Sequence, residues 1–107
     1  MSKAWRRSGG LGAAVCGPQP ATLVIAPGAP GVLITWTPDD QAITLDLDLR
    51  LNGGPWNARF GSIDDWDVPY FDPGPGYSDG DLVQFRAYRS GTNPDCGVVS
   101  NAITYEP

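Results

Sequence analysis

Hydrophobic and polar residues alternate along two adjoining stretches of this chain. In Gly31-Val-Leu-Ile-Thr-Trp-Thr37 the residues Val32, Ile34 and Trp36 share one face, and in Ile43-Thr-Leu-Asp-Leu-Asp-Leu-Arg-Leu51 the residues Leu45, Leu47 and Leu49 do the same. Alternation with a period of two marks a strand with one buried side, so the pair predicts a sheet. Weaker versions of the pattern bring the predicted strands to seven: Ala21–Ala26, Gly31–Thr37, Ile43–Leu51, Pro55–Phe60, Asp65–Tyr70, Leu82–Arg89 and Val98–Tyr105. No stretch longer than one turn has apolar residues spaced three and four apart, so helix is expected to be nearly absent.

The segments between these runs carry turn chemistry. Pro27-Gly-Ala-Pro-Gly31, Pro38-Asp-Asp40, Asn52-Gly-Gly54, Pro73-Gly-Pro-Gly76, Asp79-Gly-Asp81 and Asn93-Pro94 all punctuate the pattern. Asn52-Gly53 is the clearest hairpin signal, because both residues tolerate the positive φ of a primed turn, and it predicts antiparallel pairing of the third and fourth strands. Residues 1–20 show no periodicity and read as an extended arm. Residues 21–107 form one all-β domain, expected to be a seven-stranded antiparallel two-sheet sandwich. At 107 residues a single core is attainable without metals.

Charge divides the chain unevenly. The net charge is −5, yet Lys3, Arg6 and Arg7 stand in the first seven residues, so the rest carries four basic and twelve acidic side chains, a net −8. A basic arm thus precedes an acidic body. An acidic body repels phosphate backbones, which argues against nucleic acid as a partner. No apolar run approaches the ~18 residues of a membrane span, so membrane insertion is not expected. The stretch Leu11-Gly-Ala-Ala-Val-Cys16 hints at a lipoprotein box, but it is shorter than the ~7–15 apolar residues of a signal peptide, and export is not expected.

The chemistry available is narrow. The chain contains no His, which removes the commonest general base and the commonest neutral metal ligand, so no catalytic residue and no cofactor is assigned. Carboxylates cluster at Asp39-Asp40, at Asp64, Asp65 and Asp67, and at Asp79 and Asp81. Their place at strand ends suits turn hydrogen bonding, with calcium at Asp79 and Asp81 or at Asp65 and Asp67 as the second reading. Asp46 and Asp48 alternate with the leucines and are expected on an outward face, as a like-charge ladder serving solubility or edge protection. The aromatic residues Trp56, Phe60, Trp66, Tyr70, Phe71 and Tyr77 exceed what one small core needs, which leaves some for a contact surface.

Gly31-Val-Leu-Ile-Thr-Trp-Thr-Pro38 resembles the second strand of a fibronectin type III domain, with Trp36 as its buried tryptophan. The alternating third strand, the hairpin, Trp56, Gln84-Phe-Arg-Ala-Tyr88 and Ser100-Asn-Ala-Ile-Thr-Tyr105 follow in the family's order, over residues 20–106. Two features depart from the family. Val83 stands where a tyrosine is usual, and the connection 71–81 is long and rich in Pro and Gly; Tyr77 is the residue available to supply the missing corner hydrogen bond. A generic immunoglobulin-like sandwich is the alternative.

The resemblance implies that the approach to the first strand and the loop before the last strand share a pole, so that a Cys16–Cys96 disulfide would pin the arm to the domain. Two reduced thiols are the other reading, favoured by the missing export signal. Small immunoglobulin-like and fibronectin-like domains of this kind resemble accessory proteins of tailed bacteriophage particles. By that resemblance the chain is expected to be a non-enzymatic virion structural protein, a capsid decoration or head or tail accessory, made in the host cytoplasm. Trp5, Arg6 and Arg7 would anchor it on shell or tail subunits. A carbohydrate- or cell-surface-binding adhesion module is the alternative, in which Trp56, Trp66 and Tyr77 would stack on the sugar rings of cell-surface glycans.

Overall fold

The computed structural model describes residues 16–28, 31–37, 44–63, 69–73 and 76–106. They form eight strands: β1 (Thr22–Pro27), β2 (Val32–Thr37), β3 (Leu45–Leu51), β4 (Asn57–Ile63), β5 (Tyr70–Asp72), β6 (Leu82–Arg89), β7 (Val98–Val99) and β8 (Ile103–Thr104). A single 3₁₀ turn over Pro94–Cys96 is the only helical element among the described residues. All strand pairs are antiparallel. A three-stranded sheet in the order β1-β2-β5 faces a five-stranded sheet in the order β4-β3-β6-β7, with β8 also on β6. The architecture is an all-β sandwich.

The alternation read from the sequence is the alternation found. Leu23, Ile25, Val32, Ile34 and Trp36 point inward from the three-stranded sheet, and Leu45, Leu47, Leu49, Val83, Phe85 and Ala87 from the five-stranded one, as a single buried cluster that Tyr105 joins. Burying Trp36 alone removes ~200 Å² from water, roughly 5 kcal/mol gross.

The hairpin also forms as expected. Asn52 and Gly53 have φ of 55° and 72°, and the Gly54 N–H donates to Leu51 O at 2.9 Å, closing the turn. Both residues take the left-handed conformation that a two-residue primed turn demands, which Asn tolerates and Gly adopts without strain.

Leu82–Arg89 has the limits predicted and the first three strands differ by a residue or two at an end; the larger differences fall on three others. β4 starts later than expected, beyond Pro55 and Trp56, and runs to Ile63 because its pairing with β3 absorbs two register shifts. Within it Ser62 has φ of 59°, and its N–H donates to Asp46 Oδ1 at 3.0 Å. β5 is described at Tyr70–Asp72, so the predicted strand reaches two residues beyond Tyr70, while positions 65–68 lie outside the described residues. The last strand is broken in two. There the Ser100 hydroxyl accepts the Phe85 N–H at 3.0 Å, taking a partner that a continuous ladder would have supplied from the backbone.

Candidate functional site

At one pole of the sandwich a short strap precedes β1. Cys16 and Cys96 are joined by a disulfide with a Cα–Cα distance of 5.5 Å. The 3₁₀ turn presents Cys96, and it is started by Asn93, whose side chain accepts the Asp95 N–H at 2.9 Å ahead of Pro94. Gln19 fastens the same strap a second time. Its Oε1 accepts the Arg89 N–H at 2.8 Å, and its Nε2 donates to Cys16 O at 2.6 Å and to Thr92 Oγ1 at 3.0 Å. Pro20 is buried beside it. The direction in which the chain enters the domain is therefore set by one covalent link, to Cys96, and two polar links, to Arg89 and Thr92. Gln19 carried no signal in the sequence, since nothing local marks a glutamine that will meet residues seventy positions away.

The outer face of the five-stranded sheet is a polar and aromatic network. Asp48 is on this face, as its alternation with the leucines requires, but it is only 5 % exposed. The expected solvated ladder is corrected here: Asp48 Oδ2 accepts from Arg86 Nε at 2.7 Å and Oδ1 from the Tyr88 hydroxyl at 3.0 Å. Burial and that hydrogen bond push the Tyr88 phenol up to about 12. Asp46 holds Ser62 and also accepts from Ser90 Oγ at 2.6 Å, so each carboxylate is tied down rather than repelling its neighbour. Beside them β4 leaves a shallow depression of about 200 Å³, bounded by Asp46, Asp48, Ala58, Gly61 and Tyr88.

Trp56, expected as a contact residue, is half-buried on this face. The Arg50 and Arg86 guanidiniums lie 4.5 and 4.9 Å from its ring. Arg50 is held in turn by Gln84 at 2.8 Å. Two cations over one indole stabilise the sheet exterior and occupy the π surface that a sugar ring would use.

Tyr77 is also engaged within the fold. Its hydroxyl donates to Asp72, a carboxylate with no solvent exposure, which Arg59 clasps from β4 through Nε at 3.1 Å and Nη2 at 3.0 Å. Its ring packs on Tyr105 at 5.0 Å. The expected corner bond thus runs to a side chain. Desolvation, then the Asp72 hydrogen bond, raises the Tyr77 phenol well above its ordinary range, and the same carboxylate raises Arg59.

Asp81 accepts from the Ser78 N–H at 2.8 Å and from Asn52 Nδ2 at 3.1 Å. Those bonds, the one from Asn52 first, hold its carboxyl below the usual carboxylate range. It is a turn-capping acid that links two loops. Asp79 is exposed nearby. Among the described residues no group of three or more His, Cys, Asp or Glu side chains is placed to hold a metal ion. Trp5, Arg6, Arg7, Trp66, Asp65 and Asp67, like Asp39, Asp40 and Asp64, lie outside the described residues.

No protein-family model, no curated protein and no solved structure matches the chain. Among the described residues no helix is long and apolar enough to cross a membrane. The fold class, an all-β sandwich of two antiparallel sheets, is what the geometry itself defines.

Proposed function

We propose that this chain is a non-enzymatic attachment module, a fibronectin type III-like sandwich that docks on the protein subunits of a larger particle through residues 1–15. The observation that carries the reading is the strap. A disulfide to the 3₁₀ turn and the Gln19 side chain at the end of β6 fix Cys16–Pro20 to the domain, so an arm held by a partner would hold the whole domain in one orientation. A rigid exit reduces the ordering cost of binding. The family reading is supported by sheet membership, with β1, β2 and β5 opposite β4, β3 and β6, and by seven strands when β7 and β8 are counted as one interrupted strand.

The particle in question is a virion of the tailed-phage kind, with the chain as capsid decoration or a head or tail accessory. Trp5, Arg6 and Arg7 are its anchors, combining one large apolar side chain with two guanidiniums that suit an acidic partner surface. The disulfide fits a protein that ends up outside the reducing cytoplasm, as virion surfaces do. The adhesion reading draws less support, because Trp56 and Tyr77 are occupied within the fold.

Deleting residues 1–15 while keeping Cys16 tests the reading. The truncated protein should remain folded and disulfide-bonded, and its occupancy on particles should drop at least about tenfold. Undiminished decoration would overturn the arm-anchoring reading, and retained binding to a glycan panel by the same truncated protein would favour adhesion.

A further inference from the structure

The hairpin between β3 and β4 carries a reactive pair at its tip. Asn52 and Gly53 are both exposed, and no atom beyond the chain neighbours lies within 4 Å of where a Gly53 Cβ would stand. Gly53 brings no side chain of its own to screen its backbone nitrogen. That nitrogen is a nucleophile next in the chain to the Asn52 side-chain amide. Hydrogen bonds, and not packing, keep the two apart. Asn52 Oδ1 accepts the Leu82 N–H at 2.9 Å, and Asn52 Nδ2 donates to Asp81 Oδ1 at 3.1 Å. The Asn52 backbone N–H adds a bond to Leu82 O at 2.8 Å. Both ends of the amide are therefore held toward the start of β6, and turning its carbon to Gly53 breaks both bonds. Asp81 is itself fixed in place, because its Oδ2 accepts the Ser78 N–H at 2.8 Å.

We propose that Asn52-Gly53 is a self-modification site of this chain, latched while Asp81 and Leu82 hold the Asn52 amide and reactive when they release it. Water is the one co-reactant. The Gly53 nitrogen attacks Asn52 Cγ and forms a new C–N bond, while the side-chain nitrogen leaves as ammonia with the proton that Gly53 gives up. The product is a cyclic imide. Water then adds to either imide carbonyl and breaks its C–N bond, which returns a proton to nitrogen and leaves a carboxylic acid. Opening on one side gives aspartate at position 52. Opening on the other gives isoaspartate, in which the main chain runs through the former side-chain carbon. Nothing is oxidised or reduced.

The departure of ammonia makes the change one-way, and neither product rebuilds the latch. Aspartate sets a carboxylate where Nδ2 donates to Asp81 across 3.1 Å, so two negative charges face each other. Isoaspartate lengthens a turn whose closure rests on Asn52 at φ 55° and Gly53 at φ 72°. Either product loosens the hairpin at the head of β4, the strand from which Arg59 clasps the buried Asp72. The other asparagines are poorer sites by their neighbours. Asn93 precedes Pro94, which has no N–H to give up, and Asn57 and Asn101 precede alanines, whose methyl groups crowd the attack.

The test incubates the full, disulfide-bonded chain at mildly alkaline pH, in native buffer and in urea, and follows amide-to-acid conversion at each asparagine by peptide mass mapping. In urea Asn52 should convert ahead of Asn57, Asn93 and Asn101. In native buffer its conversion should be at least about tenfold slower, since the reactive geometry is then reached only through local opening. Asp81→Ala removes the acceptor of Nδ2, and should speed the native reaction about fivefold or more while leaving the rate in urea unchanged. Hydrogen exchange at the Leu82 amide should rise in the same variant. Asn52→Asp, which makes one product directly, should melt a few degrees below the parent. Equal rates at Asn52 in native buffer and in urea would overturn the proposal. So would a native rate that Asp81→Ala leaves unchanged, an acceleration shared equally by Asn57 and Asn101, Asn52 lagging the other asparagines in urea, or Asn52→Asp melting with the parent.

Discussion

Asp72 on β5 and Arg59 on β4 form an ion pair that joins the edge of one sheet to the edge of the other, with the Asp72 side chain fully buried and the Arg59 side chain 20 % exposed. The opposite side of the sandwich is closed by Asn101, whose Oδ1 accepts the Ile25 N–H at 2.8 Å and whose Nδ2 donates to Ile25 O at 2.9 Å. An ion pair thus closes one flank and a single amide side chain the other, and both should be sensitive positions.

Removing one side of the buried ion pair takes from the other its bidentate counter-charge. Asp72→Ala should lower unfolding free energy by about 3–5 kcal/mol, because it removes the fully buried carboxylate that Arg59 clasps and that the Tyr77 hydroxyl donates to. Urea denaturation of Asp72→Ala and Arg59→Met checks this. A loss under about 1 kcal/mol in both would mean that the pair is a surface contact in practice.

Asn101 imitates a strand partner, offering one donor and one acceptor to the free edge of β1. Asn101→Ala should cost about 1–3 kcal/mol and raise hydrogen exchange at the Ile25 amide before that of Ile34. Asn101→Asp should cost more, since it sets a carboxylate against the Ile25 carbonyl.

Two titrating groups give opposite pH limits. Tyr88 is raised in the folded state, so its contribution is complete below the ordinary phenol value near pH 10 and is lost as pH climbs through about 12. Asp81 is lowered, so its contribution is present above the ordinary carboxylate value near pH 4 and disappears as pH falls through its depressed one. Melting curves across pH should therefore fall off at both ends. Tyr88→Phe should make the alkaline limb shallower, with the raised Tyr77 phenol supplying part of what remains, and Asp81→Asn should make the acid limb shallower, each leaving the other limb unchanged.

The Cys16–Cys96 bond spans 80 residues. Closing a loop of that length stabilises by up to ~4.5 kcal/mol in the chain-entropy model. Comparing oxidised and reduced protein in urea should show a loss of about 2–4.5 kcal/mol, and Gln19→Ala should add about 1–2 kcal/mol of further loss in the reduced form by leaving the Arg89 N–H without its acceptor.

How far each feature could be read from the sequence depended on how local its cause is. Val32, Ile34, Trp36 and the Leu45, Leu47, Leu49 row were legible as core because pleat geometry fixes their faces within one strand. The Asn52-Gly53 turn was legible because positive φ selects those two residue types. Asp48 shows the complementary case. Alternation gave its face correctly, but only the neighbouring β6 supplies the Arg86 and Tyr88 that cover it.

The same division holds for the whole protein. The sequence by itself determined the strand periodicity, the main hairpin, the absence of imidazole chemistry and the contrast between a basic arm and an acidic body, all of which follow from residue type and short-range spacing. Tertiary structure alone decided that Gln19 locks the strap, that Trp56 lies under two guanidiniums, and that Asp72 and Asn101 close the flanks. Each of those depends on residues far apart in the chain, whose meeting is set by how the two sheets pack and not by any local preference.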